Sequence, residues 1–238
     1  MGTGRSVWLG RLSMAGPIAF TLAWLIGGLV QDEYSFRREE ISALAAMDAQ
    51  YPWIMIIGFV LLGTGTVALA AGLASTLKYP SAVIGSILLI IAGIGLVLAG
   101  LARTDCSEKL PTCVARIDAG EVSWHHQVHD NVSVIVFLAL IAAPLVFVRA
   151  FGRDDRWRPL RTYSLVTGLL GFALLVLYVI VSEGTWNGLA QRTFVSVLFL
   201  WIAVVGYRLA KPRRNRAQHF SHSEHLDGRS NSGSRQTG

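Results

Sequence analysis

The sequence predicts an all-α, polytopic membrane protein: a bundle of six transmembrane helices with both termini in the cytoplasm. Three observations predict it. Hydrophobic residues make up 53 % of the 238-residue chain and charged residues 15 %, against about a quarter charged in a soluble domain. Six runs lack charge over most or all of the roughly 17–25 residues that a membrane-crossing helix needs. The basic residues crowd into alternate connections, which sets orientation.

The predicted spans are 12–31, 53–77, 81–102, 131–148, 162–182 and 193–207. The last is short, but Arg192 and Arg208 flank it and can snorkel to the two interfaces. None of the six alternates polar and apolar residues, so a closed barrel is excluded. Residues 1–11 read as a basic cytoplasmic N-terminus. No small-residue cleavage site follows the first apolar run, so that run is expected to remain as a helix. Its opening, MGTGRS, fits the loose pattern for N-myristoylation, which a chain already anchored by helices does not need. Residues 12–209 form one transmembrane domain, and 210–238 a basic, apolar-poor cytoplasmic tail expected to be disordered. His219, His222 and His225, spaced by three in that tail, are a weak metal-chelating pattern.

With the N-terminus inside, the cytoplasmic segments hold fifteen Lys and Arg, and the outer loops hold six together with eleven of the fifteen carboxylates. The asymmetry predicts a plasma-membrane protein with residues 103–130 outside the cytoplasm. The net charge of +6 is then a topology signal with some attraction to anionic lipid. No basic stripe is interleaved with aromatics, so nucleic acid is not an expected partner.

Among the connections, the outer loop 32–51 predicts a short interfacial helix over Phe36–Met47, anchored by Tyr51 and Trp53. The turn 78–81 permits only an antiparallel hairpin of the second and third spans. Both spans are rich in glycine and alanine, which predicts close helix packing. The cytoplasmic loop 149–161 reads as a basic clamp with Trp157 at the headgroup level, and 183–190 joins the last two spans outside.

Chemistry is concentrated in the polar stretch 103–130, RTDCSEKLPTCVARIDAGEVSWHHQVHD. It carries both cysteines, three of the six histidines and five of the fifteen acidic residues. Cys106 and Cys113 are close enough in the chain, and on the oxidising side, to form a disulfide; a metal-binding dithiol is the alternative. His125 and His129 fall one turn apart if the stretch is already helical, as do His126 and Asp130. Two histidines at that spacing are half of a zinc site, with Asp105, Glu40, Asp118 or Glu183 as the further ligand. The same histidines also suit a structural hydrogen-bond network or a pH sensor. Arg192 stands on the outer side against the charge bias and wants a partner, for which Glu183 and Asp130 are candidates. Arg192 and Gln191 beside it, with Glu40, Ser42, Asp105, His125, His129 and Asp130, are expected to converge on one outward polar cavity. No span carries a charged residue or histidine near its centre, which argues against an ion-coupled transporter. Bis-histidine haem ligation is also disfavoured, because the histidines outside the tail sit in one segment.

Four stretches carry a resemblance: EISALAA followed by PWIMIIGFVLLG, GLARTDC, SWHHQVHDNVSVIVF, and GLAQRTFVSVLFLW. Together they resemble the six-helix prokaryotic membrane proteins of the DUF998 family over roughly Met14–Leu209, and the family is distantly similar to the Frag1, DRAM and Sfk1 membrane proteins. The resemblance implies a six-helix fold with an outer cluster at Ser42, Asp105, His125, His129 and Arg192; the Frag1, DRAM and Sfk1 proteins are linked to lipid organisation, and the family carries no settled activity over, so function stays open.

Two functions are therefore expected to compete. In the first, the protein binds membrane lipids or a membrane-protein partner, or a second copy of itself, without catalysis. In the second, it is a zinc hydrolase of a lipid or envelope substrate: His125, His129 and Asp105 hold the metal, and Glu40 or Asp130 activates water. Ser42 is an alternative nucleophile, and an uncoupled permease is a lesser possibility.

Overall fold

A computed structural model describes residues 3–107 and 110–212. The tail's histidines and the disorder expected of residues 213–238 lie outside the described residues. Seven α-helices are present there, α1 Thr3–Val30, α2 Pro52–Thr76, α3 Pro80–Leu101, α4 Pro111–Asp118, α5 Trp124–Gly152, α6 Arg161–Ile180 and α7 Asn187–Ala210, with no strand among the described residues. All but α4 are long and apolar enough to cross a membrane.

Helix starts follow local chemistry. Proline occupies the first turn of α2, α3 and α4, where its missing N–H costs nothing and its fixed φ suits the helix. Ser123 caps α5 by accepting from the His126 N–H at 3.3 Å, the usual service of an N-cap serine. That cap starts α5 at Trp124, seven residues ahead of the apolar run predicted from 131. The helix thereby carries the histidines on its first two turns. α1 likewise begins well before its apolar run, at Thr3.

The six long helices form a closed ring. Each packs on its neighbours in the order α1, α2, α3, α5, α6, α7, and α7 returns to α1. Small residues set the closest approaches. A Cβ on Gly63 would lie 2.5 Å from the Gly93 carbonyl oxygen, so α2 and α3 meet backbone to backbone. A Cβ on Gly10 would come within 2.6 Å of the Gly206 carbonyl oxygen, which closes the ring between α1 and α7. The inner face is apolar and aromatic: Phe20 packs edge-on against Phe59 and Phe199, with centroids 5.1 and 5.2 Å away.

One connection differs from the prediction. Phe36–Met47 is not an interfacial helix; turns lead into a single 3-10 turn at Ser42–Ala45. Ile41 and Ala43–Ala46 are buried, so the segment plugs the end of the ring. Burial of these small apolar side chains outweighs the amphipathic pattern that suggested a surface helix. Trp157 faces the protein interior and not its surface. It is 1 % exposed and stacks on Phe151 with centroids 5.2 Å apart. Around it Arg156 donates to the Lys211 carbonyl at 2.7 Å and Arg208 Nε donates to the Arg156 carbonyl at 3.0 Å, so the basic loop ties α7 to the opposite end of the ring.

Candidate functional site

At the end of the ring opposite Trp157, two polar clusters face each other across a cavity. The first is organised by Asp105, in the loop after α3. Its side chain is 8 % exposed and accepts from the Ser123 N–H at 2.7 Å and the Ser123 hydroxyl at 2.6 Å. Arg116 of α4 lies 3.5 Å from one oxygen and His125 Nε2 3.6 Å from the other. Burial works to raise the Asp105 pKa, but the two Ser123 hydrogen bonds and the histidines beside it win, holding the carboxyl below its usual range. The Cys106–Cys113 disulfide forms, with Cα atoms 5.8 Å apart, and ties the first turn of α4 to this loop.

The three histidines divide their work. His125 Nδ1 meets the Arg103 carbonyl at 2.6 Å. His126 Nδ1 accepts from the Asp105 N–H at 3.1 Å, and its Nε2 faces Asp130 at 3.5 Å. His129 is 5 % exposed, and its Nδ1 meets two carbonyls at the end of α3, Ala99 in its last turn at 2.8 Å and Ala102 just past it at 3.0 Å. A nitrogen facing a carbonyl must carry the proton, so in the neutral ring His129 Nε2 is the acceptor, and no hydrogen bond reaches it from the described residues.

The second cluster joins the plug to α6 and α7. Glu40 Oε1 accepts from the Tyr178 hydroxyl at 2.7 Å and Asn187 Nδ2 at 3.0 Å. Its other oxygen has the Ser42 hydroxyl at 3.4 Å. Gln191 accepts from the Ile41 N–H at 2.7 Å. Arg192, 5 % exposed, donates to the carbonyls of Phe36, Glu39 and Gly188 at 2.8–2.9 Å and to the Tyr34 hydroxyl. The rings of Trp24, Tyr34 and Phe36 enclose its guanidinium at 5.3–5.6 Å, a desolvated cation–π arrangement. Burial pushes the Tyr34 hydroxyl up more strongly than Arg192 pulls it down, so it keeps its proton and donates to the Glu40 carbonyl at 2.8 Å.

Between the clusters lies a cavity of about 400 Å³, within the range of small-molecule sites. Its walls are chiefly apolar, including Phe20, Phe59, Leu96 and Val195, and its polar rim is Glu40, Ser42, His129, Asp130, Ser133 and Gln191. Val134, Leu138 and Val179 line it and are also 57, 53 and 61 % exposed. The cavity therefore opens sideways between α5 and α6. α6 is the least enclosed of the six long helices, with 22 % of its apolar window buried.

The DUF998 family, described as a protein of unknown function, matches residues 14–208. The chain belongs to that family. No curated protein and no solved structure matches it. In this DUF998 protein, the residues expected to converge do so in two groups rather than one. Asp105, His125 and His126 form a structural network, whereas Glu40, Ser42, His129, Asp130 and Gln191 share the cavity.

Zinc does not fit. No group of three histidine, cysteine or carboxylate side chains among the described residues has metal-holding geometry. His125 turns Nε2 toward Asp105 at 3.6 Å, whereas His129 stands in the cavity wall, and both cysteines are in the disulfide. The other proposed ligands, Asp118 and Glu183, are exposed. Nor does Ser42 have a histidine base, since its hydroxyl is paired with Glu40. Arg192 takes main-chain carbonyls and Tyr34, not Glu183 or Asp130, because the plug brings those carbonyls to it. Sequence reasoning missed Tyr34, Tyr178 and Asn187. A signal was present: each is a hydrogen-bonding side chain at the polar end of a span, where an unpaired polar group is costly.

Proposed function

We propose that this DUF998 protein binds a membrane amphiphile in the cavity, without transforming it, and acts in envelope organisation by holding that lipid. The observation that carries the reading is the lateral opening between α5 and α6, which joins an apolar chamber to the face that contacts lipid tails. An alkyl chain entering there replaces one apolar environment with another, and the polar rim supplies orientation. Hydrolysis is disfavoured by the pairing of Ser42 with Glu40 and by the missing metal geometry. The charge asymmetry supports a plasma-membrane location with the histidine end outward.

The test is native mass spectrometry of the protein purified in mild detergent, beside Val134→Trp. Val134 stands at the mouth, so a bulky ring closes the opening without disturbing the inner core. The unaltered protein is expected to retain a stoichiometric lipid and the variant to lose it. Equal retention by both would remove the cavity from the account.

A further inference from the structure

The rim of the cavity is made of carboxylates, hydroxyls, an imidazole and the Gln191 amide, and its carboxylates carry formal negative charge. Glu40 and Asp130 both line it, and no Lys or Arg does among the described residues. Glu40 is held by neutral donors only, Tyr178, Asn187 and Ser42. Asp130, whose side chain is 49 % exposed, faces His126, whose Nδ1 is occupied as an acceptor. His129 adds an independent sign of a ligand: a buried ring in the cavity wall whose Nδ1 is used twice, leaving Nε2, the acceptor of the neutral ring, with no described partner. Of the cations near this end, Arg192 does not line the cavity and is engaged by three carbonyls and Tyr34, and Arg103 donates to the carbonyls of Ala45 and Ala46.

Carboxylates beside an apolar chamber are costly unless a cation meets them. An unmatched imidazole acceptor likewise calls for a donor. We infer that the headgroup held in this cavity is a protonated amine on an amphiphile with no net negative charge. The ammonium would donate to His129 Nε2 and to the carboxylates of Glu40 and Asp130, while its chain lies along Val134, Leu138 and Val179. A phosphate or carboxylate head would meet like charge and no cationic partner. A polyhydroxyl head would satisfy the acceptors but leave the charge unmet. This inference rests on the binding reading above and adds the chemistry of the ligand.

The experiment uses the full chain in nanodiscs of zwitterionic lipid with three photoactivatable probes of equal chain length. Each carries a diazirine on the chain, and the heads are a primary amine, an alcohol and a carboxylate. Labelled peptides from α5 and α6 are quantified, with Glu40→Gln and Asp130→Asn as near-isosteric variants. The amine is expected to label the cavity about tenfold more than the carboxylate, and the double variant to lose that preference. Equal labelling by amine and alcohol, or a preference for the carboxylate, would overturn the headgroup assignment and leave the binding reading standing. If none of the three labels the α5–α6 opening, the binding reading itself fails. The comparison of probes on the unaltered protein needs no variant to fold.

Discussion

The Arg192 guanidinium donates to the main-chain carbonyl of Glu39, 153 residues earlier in the chain, at 2.8 Å. The bond fixes the plug to α7, and the same guanidinium is sandwiched by three aromatic rings. A lysine has a single ammonium on a flexible stem and cannot present a planar face to the rings while reaching four acceptors. Arg192→Lys is expected to cost about 2–3 kcal/mol, read by denaturant unfolding in detergent. Unchanged stability would show that the cage is dispensable.

Gly188 lets that arrangement close. A Cβ there would sit 2.8 Å from both Arg192 Nη1 and the Phe36 carbonyl oxygen. Gly188→Ala is expected to destabilise by about 1–3 kcal/mol through overpacking. It should be non-additive with Arg192→Lys, because both act on one contact. Full additivity in the double variant would place the glycine's role elsewhere.

α4 is held to the loop after α3 by the Cys106–Cys113 disulfide and by the Arg116–Asp105 contact. Its Leu110, Val114 and Ile117 are exposed. Removing the bond by Cys106→Ser with Cys113→Ser is expected to free about 2 kcal/mol of local ordering. Hydrogen exchange should rise in α4 and stay unchanged in α2 and α3. Protection lost across the whole ring would mean that the disulfide supports the bundle and not only this helix. In the unaltered protein, alkylation should add mass only after reduction.

The acid response follows from Asp105. Its folded carboxyl sits below its ordinary value of 3.8, so the unfolded state binds the proton more readily. The associated stability is present above the unfolded pKa and is lost as pH falls through the folded one. Acidification below about pH 4 is therefore expected to loosen the loop between α3 and α5. Asp105→Asn should flatten that dependence while lowering stability at neutral pH, because the amide nitrogen cannot accept from Ser123. A variant with the same acid profile as the unaltered protein would assign the transition to another carboxylate.

Much of this organisation was legible along the chain, because its causes are local. Whether a stretch crosses a membrane depends on the apolar content of about 20 neighbouring residues, so all six spans were readable from their composition. The Cys106–Cys113 bond joins residues seven apart, within easy reach of a bent loop. The start of α5 was harder, since the Ser123 cap lies ahead of any apolar signal. The plug was misread because helix propensity in 36–47 gave way to burial at the ring's end.

By itself the sequence determined the membrane class, the six helices, the disulfide and the stretch that carries the polar chemistry, all functions of near neighbours. Only the tertiary structure decided that His125 and His126 belong to Asp105 while His129 belongs to a cavity. It alone matched Arg192 to carbonyls of the first loop and opened the chamber between α5 and α6. Those outcomes depend on which distant groups the closed ring brings within hydrogen-bond reach, and a partner about 150 residues away leaves no spacing to read.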